Sequence, residues 1–270
     1  MLSIEEIKLT IDTLKKLKKE DFEKFITEYL DKLEGLASKV DAYNSNQIRQ
    51  LDKTTSWFQA DLDWREAHSK DVFDPLLSKL IESKIFQFAK HGDGKYNCLE
   101  IGPGYGKYSR FLLAWRIIFL LEALPQVKPR LFKKFQPQHH KHLRFYTTDR
   151  TACPDIPDHS CNFVFSWDLF PFLSYNHIER YLRDINRVML PGGYGFINYA
   201  NCEYEKPLYE AKRGYWNYNT KSKMAYLLKN NGYEVIEMDQ FRPGADYVIF
   251  KKPGKMNPVV YSTLEIPVEK

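Results

Sequence analysis

Three glycines, Gly102, Gly104 and Gly106, alternate directly behind an apolar run that closes with Glu100 and Ile101, and a helix-compatible segment follows from Tyr105. The order is strand, tight turn, helix. Glycines at such a turn allow positive φ and let a ligand lie against bare main chain, while the first helix amides would face that ligand. A phosphate-cradling loop of the Gly-x-x-x-x-Gly-Lys-Ser/Thr kind does not fit, because Ile101 stands at the first glycine and Tyr108 follows Lys107. A dinucleotide fingerprint needs its third glycine at the position of Lys107, one residue out of register. A glycine turn of purely structural use satisfies the same pattern, so the rest of the chain must supply the support.

The remaining pattern, Glu100-x-Gly102-x-Gly104-x-Gly106, resembles the first motif of class I S-adenosylmethionine-dependent methyltransferases. That cofactor carries an ammonium, a carboxylate and a sulfonium in place of a pyrophosphate. The resemblance implies that Glu100 receives the ammonium, directly or through water, and that amides of Gly102, Gly104 and Gly106 face the carboxylate. Downstream, Arg187-Val188-Met189-Leu190-Pro191-Gly192-Gly193 is similar to the Arg-Val-Leu-Lys-Pro-Gly-Gly turn before the fifth strand of many such enzymes. The two motifs and the strands between them extend the resemblance over about Tyr96 to Lys252.

Strand-like and helix-like runs alternate from Tyr96 onward, as in a parallel sheet covered on both faces. The pattern predicts strands at Cys98–Ile101, Ile117–Leu121, Arg144–Thr147, Asn162–Ser166, Gly195–Tyr199, Glu234–Met238 and Tyr247–Lys251. Helices are expected near Tyr105–Trp115, Val127–Phe135, His177–Met189 and Lys221–Asn230. The last two strands follow each other around Pro243-Gly244 and should form an antiparallel pair. The expected fold is α/β, a Rossmann-like seven-stranded methyltransferase sheet with an N-terminal helical extension. Its divisions are 1–55 for the extension, 56–252 for the methyltransferase domain and 253–270 for an extended or flexible tail.

Before the sheet, Ser3 with Glu6 forms a capping box ahead of Ile4, Ile7, Ile11 and Leu14, and a second amphipathic stripe runs from Phe22 to Leu33. These helices suit a lid, a homodimer contact or simple packing on the main domain. A further stripe, Val72, Leu76, Leu80, Ile81 and Ile85, leads to the His91-Gly92-Asp93-Gly94 turn. Trp57 and Trp64 could wall a substrate site or fill a core.

Ligands in open α/β sheets bind outside the carboxyl ends of the strands. Glu122 closes the second strand about 20 residues beyond the glycine turn, the spacing of an acid that accepts hydrogen bonds from a ribose diol. After the third strand, the resemblance places adenine recognition at Asp149 and Arg150; an ordinary turn acid beside a solvated arginine fits as well. After the fourth strand stands Asp168, where the transferred methyl would lie. The run Asp155-Ile156-Pro157-Asp158-His159-Ser160-Cys161-Asn162-Phe163-Val164-Phe165-Ser166-Trp167-Asp168 is similar to a bacterial group of sugar O-methyltransferases, as is Ile197-Asn198-Tyr199-Ala200-Asn201. This chain departs from that group at Asn162, which replaces an aspartate, and at Phe172, which stands where the group has a histidine suited to act as base. Asn198 and Tyr199 replace further histidines. Asp168, His177 and Tyr199 are therefore the catalytic candidates, and Trp167, Phe170 and Phe172 either surround a sulfonium or belong to the core.

Arg213, Tyr215 and Trp216 lie in an aromatic insertion, Glu203–Tyr218, able to stack on a sugar face and meet an anion. A basic run with His139, His140 and His142 reads as a solvated face, lacking the companions of a metal site. The net charge of +5 suits an anionic small-molecule or saccharide substrate and is too weak to argue for nucleic acid. Four scattered cysteines, the lack of a signal-peptide pattern and apolar runs far short of the roughly 20 residues that span a bilayer point to a cytoplasmic protein without stable membrane insertion. The expected activity is O-methylation of a saccharide, nucleotide-linked sugar or similar anionic metabolite. N-methylation of an amine-bearing metabolite, or a scaffold that binds cofactor without catalysis, are the alternatives.

Overall fold

The computed structural model describes residues 75–92, 94–149, 152–241 and 244–256. The expected extension over 1–55, the candidates Trp57, Trp64 and Arg150, and the chain beyond 256 lie outside these residues. Helix α1 (Pro75–Gly92) precedes a seven-stranded sheet built from β1 (Cys98–Ile101), β2 (Ile118–Glu122), β3 (Leu143–Thr147), β4 (Cys161–Ser166), β5 (Met189–Tyr199), β6 (Glu234–Gln240) and β7 (Asp246–Lys251). The helices among them are α2 (Lys128–Phe132), α3 (Tyr175–Val188), α4 (Glu205–Lys212) and α5 (Lys221–Asn230).

The strands lie in the order β3-β2-β1-β4-β5-β7-β6. The first five are parallel, and β7 runs antiparallel to both β5 and β6. Strand order reverses between β1 and β4, which opens a crevice at their carboxyl ends. Both faces of the central strands are buried, so their sequences read as unbroken apolar runs rather than as alternation. One face sets Leu99, Ile101, Val164 and Ile197 against Ile178, Leu182 and Ile185 of α3 and Met224, Leu227 and Leu228 of α5. The other sets Cys98, Ile118, Phe165 and Phe196 against Ile81 and Ile85 of α1 and the segment Phe111, Leu112 and Trp115.

That segment differs from the sequence expectation. In place of a helix over Tyr105–Trp115 the chain makes turns and one 3-10 turn, Ser109–Leu112. Tyr108, Phe111, Leu112 and Trp115 keep the helical spacing and are buried, which is why the periodicity misled. The backbone instead closes i to i+3 bonds, from Phe111 N to Tyr108 O at 2.9 Å and from Trp115 N to Leu112 O at 3.1 Å. Its exit is tied to the loop after α1, where Gly94 N donates to Ala114 O at 3.2 Å and Arg116 N to Tyr96 O at 2.8 Å. The short return from β1 to β2 leaves no room for a full helix once these partners are taken.

The Pro191-Gly192-Gly193 turn is absorbed into β5 as an irregularity in the pairing with β4, between Cys161 and Phe163. Gly193 has to be glycine: a Cβ there would sit 2.9 Å from both Asn162 O and Leu190 O. Arg187, the first residue of this motif, staples the loop before β4 by donating to Asp184, Asp158, Ile156 O and Cys153 O. Asn162 serves the core, accepting from Trp115 Nε1 at 2.9 Å while Trp115 stacks on Phe163 with centroids 4.9 Å apart.

Candidate active site

The glycine turn leaves β1 with Gly102, Gly104 and Gly106 all at positive φ. A Cβ on Gly102 would meet the Leu169 side chain at 3.1 Å, so the loop after β4 lies directly over the turn after β1. Leu169 is a site neighbour that sequence reasoning missed; nothing in its own type announces it. With only a short 3-10 turn behind the glycines, ligand-facing amides have to come from the glycine turn itself and not from a helix N-terminus.

Glu100 lies beneath this turn, 3% exposed, and its Oε2 has no hydrogen-bond partner among the described residues. Burial pushes its carboxyl up to about 8; the nearby Ser109 hydroxyl pulls the other way, and the negative charge of Glu122 adds to the rise. An unpartnered, buried acid beside a glycine cradle is a fit receptor for an ammonium group. Glu122 is also buried, and its carboxylate spans two strand ends. Oε2 accepts from Gly104 N at 3.0 Å, and Oε1 accepts from Ala123 N at 2.9 Å and Leu124 N at 3.2 Å. The acid thus fixes the height of the glycine turn against β2. Asp149 stands exposed just after β3, next to Thr148, whose N donates to Glu122 O at 3.2 Å.

Asp168 follows β4 at φ 61°, a left-handed conformation that costs a non-glycine residue roughly 1–3 kcal/mol unless its surroundings hold it. Asn198 of β5 does so with both amide atoms. Asp168 N donates to Asn198 Oδ1 at 2.8 Å, and Asn198 Nδ2 donates to Asp168 Oδ1 at 3.3 Å. Asn198 is buried and Asp168 exposed, so the clasp presents a carboxylate at the mouth of the crevice. Asn198 had drawn notice only as a replaced histidine.

The other two catalytic candidates are placed differently. His177 Nδ1 lies 3.1 Å from Ser174 Oγ, which in turn accepts from His177 N and caps α3. Tyr199 is buried on the face opposite Asn198, and burial, aided by Asp246, holds its phenol well above the usual range. Trp167 and Phe170 fill the cores of opposite faces, whereas Phe172 is 43% exposed.

The aromatic insertion is latched to that exposed ring. Asn217 N donates to Pro171 O at 2.8 Å and Asn217 Nδ2 to Phe172 O at 2.6 Å, and Trp216 meets Phe172 edge-on with centroids 6.5 Å apart. Arg213 stands over the rings of Tyr209 and Tyr215 and donates to both phenol oxygens, a separate exposed cluster. On the basic face His140 and His142 bond main-chain oxygens of Phe132 and Arg116. Among the described residues no group of three His, Cys, Asp or Glu side chains could hold a metal ion, and no helix is long and apolar enough to cross a membrane.

Residues 99–197 match the family model described as a methyltransferase domain. No curated protein sequence matches the chain significantly. Among solved structures, an S-adenosylmethionine-dependent methyltransferase from Mesorhizobium loti aligns with a TM-score of 0.51 and 12% identity, over 59% of this chain and 92% of its own. The N-methyltransferase NodS from Bradyrhizobium japonicum aligns at 0.52 and 13%, over 67% and 99%. A Thermotoga maritima protein described as a possible histamine N-methyltransferase aligns at 0.51 and 17%, over 73% and 98%. Residues 99–197 thus carry the match to a methyltransferase domain, set on the seven-stranded fold that these solved structures share.

Proposed function

We propose that the chain methylates a hydroxyl oxygen of a saccharide, nucleotide-linked sugar or similar anionic metabolite. The observation that carries this reading is the exposed Asp168 carboxylate, clasped by Asn198 at the end of β4 and backed by the Phe172–Trp216 pair. The bound cofactor supplies an activated methyl group on a sulfonium. In this reading Glu100 and the glycine turn hold the cofactor's amino acid end, Glu122 its ribose, and Asp149 with Arg150 its adenine. Leu169 shields the turn from water. Asp168 would orient the acceptor hydroxyl and take its proton as that oxygen receives the methyl group the cofactor would supply. Exposed Phe172 and half-buried Trp216 offer an aromatic surface for a sugar ring, and Arg213 with Tyr215, also in the insertion, would meet its anionic substituent. His177 and Tyr199 are left as positioning groups, since one ring serves a helix cap and the other phenol is hard to ionise.

We assign residues 56–252 to the methyltransferase domain and 1–55 to an N-terminal extension. A reducing, cytoplasmic setting suits the four buried free thiols. N-methylation is the second reading. It is favoured by the absence of a histidine at Phe172 and by the likeness to proteins named as N-methyltransferases. Transfer of labelled methyl from S-adenosylmethionine across panels of sugar nucleotides, sugar phosphates and amines separates the two. Turnover on hydroxyl acceptors that is lost in Asp168→Asn supports the proposal; turnover on amines alone replaces it with the second reading; cofactor binding without turnover on any pool leaves a scaffold.

A further inference from the structure

The carboxyl end of β5 carries a second polar group, on the face opposite the Asp168–Asn198 clasp. Tyr199 pairs with Asp246 across β5 and β7, and Asp246 pairs with Gln240 across β7 and β6. Asp246 is only 4% exposed. Its Oδ1 accepts from Asn201 Nδ2 at 3.0 Å, while Oδ2 has no partner among the described residues. Gln240 Nε2 donates to Tyr204 Oη at 3.1 Å, and its buried Oε1 is likewise without a partner. Both side chains line a cavity of about 40 Å³, with Tyr199, Asn201, Tyr204, Lys221 and Asp239 completing the wall.

A buried carboxylate oxygen left unpaired costs about 1–3 kcal/mol or more, so a partner for it is strongly favoured. Both orphaned atoms are acceptors, so the missing partner is a donor. Asp246 and Asp239 outnumber Lys221 in the wall, and the charges of Lys221 and, more weakly, Glu203 reach the Asp246 carboxylate with opposite effect. The donor should therefore be positive. A water-sized group needs roughly 10–15 Å³ of such space, so the cavity has room for an ammonium with its first methylenes, the rest of an alkyl chain leaving through its open side. One carboxylate beside a lysine is a poor cage for a divalent metal, and a quaternary ammonium has no N–H to offer.

We propose that this cavity is a binding site for a primary alkylammonium group, held by Asp246 Oδ2, Gln240 Oε1 and a phenol oxygen of Tyr199 or Tyr204. The site shares Tyr199 with the proposed transfer machinery but centres on Asp246, an acid for which methyl transfer has no role. Its test therefore needs no turnover.

The full chain is titrated calorimetrically with propylammonium chloride at constant ionic strength, with tetramethylammonium and potassium chlorides as comparators. Saturable binding of propylammonium alone is expected. Asp246→Asn should weaken it at least roughly tenfold, the scale of one charge-assisted hydrogen bond. Gln240→Met, which leaves Asp246 and its Asn201 bond in place, should weaken it severalfold in a protein whose melting temperature confirms folding. An equal response to tetramethylammonium or potassium overturns the proposal, as does unchanged affinity in both variants. Binding that emerges only after Lys221→Ala also overturns it, because the cavity would then belong to the ammonium of Lys221.

Discussion

Glu122 makes three hydrogen bonds to main-chain amides, and a ribose diol would have to share the same carboxylate. Glu122→Ala should weaken S-adenosylhomocysteine binding by about 1.5–3 kcal/mol, the range for hydrogen bonds to a charged group; unchanged affinity in calorimetry removes it from the ribose role. Glu100 gives a pH signature of its own. Its carboxyl titrates near 4.5 in the unfolded chain and about 8 in the fold, because burial disfavours the charged form. Between those values the folded state holds a proton that the unfolded state has released. Stability should therefore fall as pH rises from about 4.5 to about 8, by an amount on the order of a few kcal/mol, and level off above. Denaturant midpoints measured across that window should flatten in Glu100→Gln. An ammonium placed at Oε2 would favour the charged carboxylate, so cofactor binding at neutral pH should release a proton, seen by calorimetry in buffers of different ionisation heat. The two acids were legible in the sequence because each sits at a strand end at a fixed distance from the glycine turn. Asn198 was not, since its part is defined by the φ of another residue thirty positions earlier.

Elements follow the same division between what is written locally and what is imposed by packing. The central parallel strands β1, β2 and β4, buried on both faces, announce themselves as apolar runs, and α5 begins and ends where its pattern does, with Thr220 accepting from Lys223 N as a cap. The segment after Gly106 carries a helical stripe yet forms only a 3-10 turn, because the partners of its backbone are set by the loop at Gly94 and Tyr96, which no local pattern encodes. Packing across strands is similarly invisible at Gly195, a residue with no special φ. A Cβ there would approach three carbons of the Phe250 ring within 2.0–2.5 Å, and that ring is itself pinned edge-on to Tyr233 with centroids 4.8 Å apart. Gly195→Ala should destabilise the fold by about 1–3 kcal/mol or more through overpacking, read as a lower urea midpoint with little change in slope. An unchanged midpoint would mean that Phe250 can swing aside.

The sheet as a whole divides at the crevice between β1 and β4. The ends of β1, β2 and β3 carry Glu100, Glu122 and Asp149; the ends of β4 and β5, with the insertion latched to Pro171 and Phe172, carry Asp168, Asn198 and Trp216. If the first half holds the cofactor and the second the acceptor, their energetics should separate. Trp216→Ala should raise the acceptor KM while leaving S-adenosylhomocysteine affinity intact, because it removes a stacking surface and no cofactor contact. Glu122→Ala should lower kcat/KM through the cofactor alone. With no side chain shared between the two, the free-energy losses in kcat/KM should add in the double variant to within about 0.5 kcal/mol. A coupling well beyond that would put Trp216 against the cofactor, and the insertion would then be a lid over the sulfonium in place of a platform for the acceptor.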